Sequence, residues 1–165
     1  MSEARDIKRL LEVAFLGVQR DEQCTLHQAQ LADQSLGRKT SREEWEAAGR
    51  LDPETDWRDV PATALDECRE ALSHATPRSW HFYLPAYMRR AVDLIDAPTW
   101  ESVGSVIFHI TYSEKNNMGP YRLQRFRQLN EAQSSAVTAF LEFVRDYPNG
   151  EPFYPDDAKL ALRKY

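Results

Sequence analysis

The sequence predicts an all-α fold: one compact domain over residues 1–165, built from roughly seven or eight helices. Apolar residues return every three or four positions over 7–18 and 136–144. The polar spacing that opens helices occurs at Thr25 with Gln28, Ser41 with Glu44, and Asn130 with Gln133. Composition agrees, since 165 residues with 42% apolar and 28% charged content can bury a core without a disulfide or metal staple.

In chain order, Ile7, Leu10, Leu11, Ala14, Phe15 and Val18 form one buried stripe on a first amphipathic helix. The capping pair Thr25 and Gln28 starts a second helix ending near Asp33. The pair Ser41 and Glu44 starts a third that stops near Gly49, a residue able to take the left-handed conformation favoured at helix C-termini. Residues 51–59 are acidic, carry Pro53 and show no apolar period, so they read as an extended connection punctuated by Trp57. A helix opens near Pro61, with Leu65, Cys68 and Leu72 on one side, and Pro77 ends it. Pro85 closes the piece 78–84 and opens another helix whose Tyr87, Met88, Ala91, Val92 and Ile95 face inward.

Residues 100–111 fit two patterns. Trp100, Val103, Ile107 and Ile110 suit a helix, the preferred reading, while the β-branched residues Val106, Ile107, Ile110 and Thr111 leave room for a short strand pair. A loop follows over 114–120. Asn130 and Gln133 then open a strong helix through Ala136, Val137, Phe140, Leu141 and Val144, and Pro148, Gly150, Pro152 and Pro155 break the chain before a short helical piece with Leu160 and Leu162.

No apolar run is long enough to cross a bilayer and no secretory signal pattern opens the chain, so a soluble cytoplasmic protein is expected, with no membrane partner. Cys24 and Cys68 sit among apolar helical positions and read as free buried thiols. A net charge of −5 lacks the basic bias of nucleic-acid binding, so none is expected.

The run Trp57-Arg58-Asp59-Val60-Pro61, then Leu65, then His81-Phe82-Tyr83-Leu84-Pro85-Ala86-Tyr87-Met88, resembles an uncharacterised family of small bacterial proteins. That family is marked by a tryptophan, a Val/Ile-Pro step, a capped helix and a Phe-Tyr-Leu-Pro-Ala block. Gln133, Ala136, Val137, Phe140 and Leu141 match its later pattern, and the likeness runs from about residue 7 to about residue 144. The resemblance implies a shared fold and carries no reaction.

Phosphate loops, dinucleotide fingerprints, zinc helices and nucleophile elbows are missing, so no catalytic residue is assigned, and no cofactor or metal is expected. Cys24, His27, Cys68, His74, His81 and His109 are the only thiol and imidazole groups, at irregular spacing. A metal site among them, or a Cys68 nucleophile served by His74 or His81, is the weaker reading beside core thiols and hydrogen-bonded imidazoles. Tyr121, Arg122, Arg125 and Arg127, with Arg89 and Arg90, form a basic cluster that reads either as an anion receiver or as a solvated face.

Charge is concentrated elsewhere. Residues 43–70 hold ten acidic side chains against Arg50, Arg58 and Arg69, a balance of −7, leaving +2 for the rest. Glu43, Glu44, Trp45, Glu54, Asp56, Trp57 and Asp59 are the candidate partner-binding residues, an acidic and aromatic surface suited to a basic protein. The expected function is therefore a non-enzymatic protein-binding module, most concretely an immunity or antitoxin protein occluding the active site of a cognate toxin. The competing expectation is a small enzyme or ligand-binding domain with a pocket lined by His81, Tyr83, Tyr87, Arg89 and Arg90. A homodimer is a third, and would show an exposed apolar stripe on the first helix or the Asn130 helix.

Overall fold

A computed structural model describes residues 2–96, 103–111 and 119–147. The described residues form nine α-helices and one 3-10 turn, with no strand. The short strand pair allowed over 100–111 is thus not formed in its described part, where Ser105–Ile110 is helical and Val103, Ile107 and Ile110 are buried.

Helix α1 (Ser2–Ala14) lays Ile7 and Leu11 against α6 (Pro77–Asp93) and α9 (Glu131–Asp146), followed by buried Phe15. Leu10 departs from the predicted stripe. It is 38% exposed, because the face meeting two neighbouring helices is centred on Ile7 and Leu11 and turns Leu10 outward with Val13. Helix α2 (Leu26–Gln34) begins at Thr25, whose amide donates to Gln28 Oε1 at 2.9 Å. Helix α3 (Arg42–Gly49) begins at Ser41, where Ser41 Oγ accepts from the Glu44 amide and Glu44 returns the bond.

Gly49 is helical and not left-handed; among the described residues the glycines with positive φ are Gly17 after α1 and Gly37 after α2. What Gly49 supplies is room. A Cβ there would lie 2.7 Å from Gln28 Nε2, the group that donates to the Trp45 carbonyl and ties α3 to α2.

The connection from Leu51 ends in a 3-10 turn (Trp57–Asp59), and α4 (Ala62–Glu67) starts after Pro61. The predicted helix through Leu65, Cys68 and Leu72 is broken at Cys68, with α5 (Ala71–His74) as a separate turn, although all three residues are buried. The break is held from outside, by the Tyr87 hydroxyl donating to the Cys68 carbonyl.

Pro85 does not divide two helices. Helix α6 runs unbroken through it, although proline removes one backbone donor and crowds the carbonyl four residues earlier, at a cost of about 3 kcal/mol. Burial outweighs that cost: Trp80, Phe82, Tyr83, Leu84, Ala86, Tyr87 and Met88 are all in the interior, which makes α6 the central helix of the molecule.

Helices α7 (Ser105–Ile110) and α8 (Gly119–Phe126) pack on α6, and α9 opens on its Asn130 cap with all five predicted apolar positions buried. The described helices outnumber the seven or eight expected, because a tertiary contact splits one predicted helix and α8 has too polar a sequence to announce itself. Most of the 114–120 loop, Trp100, and the piece with Leu160 and Leu162 lie outside the described residues.

Candidate functional site

The seven candidate partner-binding residues fall into two structural groups. Glu43, Glu44 and Trp45 belong to α3, which buries none of its residues. Two acids in its first turn, Glu43 and Glu44, complement the positive end of the helix dipole. Glu44 Oε1 also lies 3.1 Å from Arg38, and that guanidinium together with the Ser41 groups pulls its pKa down to about 2. Trp45 is half-buried, and Leu36 before the helix and Leu51 after it are exposed. An acidic helix with one tryptophan thus rides outside the core, tied to α2.

Glu54, Asp56, Trp57 and Asp59 lie in the connection and the 3-10 turn, which packs on α6. Trp57 is not available as a surface anchor: it is 1% exposed, its Nε1 donates to the Phe15 carbonyl at 3.0 Å, and Arg89 covers its ring at 5.3 Å. A turn of three residues has no apolar period of its own, so its facing is set by the groove it enters, and a large apolar ring with one donor takes the buried position.

The acidic balance is also smaller in space than in sequence. Glu44, Glu46, Asp52, Asp56 and Asp66, five of the ten carboxylates, are answered by Arg38, Arg42, His27, Arg58 and Arg90. Asp52 is structural. It is buried and accepts from both the His27 amide, at 2.8 Å, and His27 Nδ1, at 2.6 Å, so it caps the first turn of α2.

Of the five alternative pocket residues, Arg89 and Arg90 line a described notch that His81, Tyr83 and Tyr87 do not line. Tyr83 is buried with its hydroxyl accepting from the Leu26 amide, and the Tyr87 hydroxyl is spent on the Cys68 carbonyl. His81 Nε2 lies 2.9 Å from Gln133 Oε1, Arg90 forms a fork on Asp66, and Arg89 donates to the Arg58 carbonyl at 2.7 Å. Between Val60, Leu65, Ala86 and the two arginines is a notch of about 30 Å³, space for a water molecule rather than a substrate. Aromatic side chains at a proline therefore act here as caps and core, each hydroxyl completing the end of another helix.

The thiols and imidazoles are likewise dispersed. Burial, with the Asp52 and Glu67 charges, pushes the Cys68 thiol up to about 12, and burial raises Cys24 as well, so neither provides a thiolate near neutral pH. His27 and His74 pair with Asp52 and Asp33, while His109 faces Ser73 Oγ at 3.4 Å. Among the described residues no three His, Cys, Asp or Glu side chains converge in a set that could hold a metal ion. No described helix is long and apolar enough to cross a membrane.

The fold and this surface define a helical domain with a core-independent acidic helix. Residues 3–163 match the model of a family of unknown function, DUF6714, and the chain belongs to that family. No curated protein and no solved structure matches it.

Proposed function

We propose that the protein is a protein-binding module of the immunity or antitoxin type, which covers a basic site on a cognate toxin with α3. The observation that supports this reading most directly is that α3 has a complete N-terminal capping box yet contributes no buried residue, while it presents Glu43, Glu44 and part of the Trp45 side chain. A short helix that buries none of its residues, and carries three carboxylates to one arginine around an aromatic residue, has the chemistry of a docking element for a basic protein. Trp45 replaces Trp57 as the anchor, and Asp59, exposed on the separate 3-10 turn beside the buried Trp57, is a second acidic position of the proposed contact.

The test has two parts. Immobilised protein should retain a basic partner from its native cells, and Glu43→Lys with Asp59→Lys should slow association in a salt-dependent way while Trp45→Ala hastens release. Expression of the retained partner alone should arrest growth, and the wild-type chain, unlike the charge-reversed one, should restore it. A partner indifferent to salt and to all three substitutions, or harmless when expressed alone, overturns the proposal.

A further inference from the structure

Away from α3, the arginines of α8 are held in a way the proposed docking does not use. Arg122 and Arg125 are three residues apart on one helix face and are only 8% and 3% exposed. Each guanidinium is placed by an aromatic ring, Arg122 over Phe108 and Arg125 over Tyr121, both at 4.4 Å. Neither has a described carboxylate within ion-pair distance, whereas Arg38, Arg42, Arg58 and Arg90 all do. Their partners are neutral oxygens. Arg122 Nη1 donates to the Thr111 carbonyl at 2.8 Å, and Arg125 Nη2 donates to the Ser73 and Ala75 carbonyls at 3.0 and 2.8 Å and to the Tyr121 hydroxyl at 3.1 Å. Arg125 Nε is buried with no acceptor among the described residues.

Two more groups face the pair. His109 on α7 is buried beside both arginines, and Ser73 Oγ lies 3.4 Å from its Nε2. His74 feels the same neighbourhood but already pairs with Asp33 at 3.1 Å. Burial alone lowers the pKa of Arg122 and is the largest cause of the lowering at Arg125, as expected of cations taken from water without a counter-charge.

A purely structural role accounts for part of this. Arg125 binds the carbonyls at the end of α5, where a cation meets the negative end of a helix. Arg122 likewise answers the Thr111 carbonyl that ends α7, which leaves the Arg125 Nε unanswered and neither positive charge neutralised. Two buried guanidiniums, stacked and aimed by aromatic rings with donors to spare, require about two negative charges that the described chain does not provide. The geometry points to an oxyanion site between α5, α7 and α8, formed by Arg122, Arg125, His109 and Ser73, that takes a dianionic phosphate group. The phosphate is either the free ion or the end of a monoester.

Calorimetric titration of the full chain with inorganic phosphate, against sodium chloride at equal ionic strength, tests this. One saturable site per chain is expected, with a matching rise in melting temperature. Arg122→Gln should weaken binding by roughly tenfold to a hundredfold, the worth of a hydrogen bond to a charged group. Arg127→Gln, an exposed arginine just beyond α8, should leave it unchanged. Should Arg122→Gln fail to fold, Arg122→Lys keeps the charge, loses the fork, and is expected to bind more weakly with the fold intact. Methyl phosphate binding as tightly as phosphate assigns the site to a monoester, and phosphate binding alone assigns it to the free ion. The inference is overturned by a response no larger than that to chloride, by acetate binding as tightly as phosphate, or by unaltered phosphate binding in a folded Arg122 variant.

Discussion

His109 contributes to the acid sensitivity of the fold. Burial, followed by the charges of Arg125, Arg122 and His74, holds its pKa down at about 3, against an ordinary value of 6.5. The unfolded chain takes up a proton near pH 6.5 that the folded chain refuses until about pH 3. The native state therefore has its full advantage above pH 6.5 and loses it as pH falls through that window. Between pH 6.5 and pH 5 the loss from this residue is on the order of 2 kcal/mol. Urea denaturation of the wild type and of His109→Gln at both pH values checks this: the wild type should lose stability on acidification, and the variant should lose measurably less.

Gly49 is a second residue with a defined consequence. Gly49→Ala forces Gln28 away, and Gln28 both completes the α2 cap and holds the Trp45 carbonyl. A loss of about 1 kcal/mol, typical of a broken cap, is expected in place of the gain that alanine brings to an ordinary helix position. The sequence marked Gly49 as a helix end but not the reason for it, because a close approach between two helices is absent from either helix alone. The same holds for Trp57, whose partner Phe15 lies 42 residues earlier.

Among the elements, α1 separates what periodicity reveals from what it hides. Leu10 and Leu11 belong to one apolar stripe in sequence, yet only Leu11 is fully enclosed. Leu11→Ala should cost about 2–5 kcal/mol, and Leu10→Ala well under half of that, as read from denaturation midpoints. Helix α6 offers a complementary case. Pro85→Ala returns a backbone donor worth about 3 kcal/mol in a helix interior and forfeits burial of about two methylenes, each about 0.8 kcal/mol. A net gain of about 1 kcal/mol in thermal or urea denaturation is expected. The helices legible in advance, α1, α2, α3 and α9, carry their own caps or strong periods. Those misjudged, the break at Cys68, the continuity at Pro85 and polar α8, are decided by neighbours. The acidic segment follows the same rule: ten carboxylates could be counted, but not that Arg38, Arg42 and Arg90 would answer some of them from outside or across the turn.

For the whole molecule, the buried apolar residues form one cluster to which α3 contributes nothing and α8 only the partly buried Phe126 packed against it, while the other described α-helices supply its members. Stability is accordingly uneven. Amides of α3 should exchange with solvent through a local opening, orders of magnitude faster than those of α6 and α9, which should open only with global unfolding. Exchange rates in α3 equal to those in α6 would show that it is locked to the core after all. Tryptophan fluorescence gives a parallel measure, since Trp57 and Trp80 are enclosed and should resist iodide quenching while Trp45 responds to it.

The peripheral standing of α3 also governs how the chain can vary. A solvent-facing position typically tolerates replacement within about 0.5 kcal/mol, so the outward residues of this helix can be exchanged for others of different size or sign while Ser41, Gln28 and Gly49 keep its frame. Recognition could then be rewritten one side chain at a time on an inherited scaffold, with thermal tolerance left almost untouched.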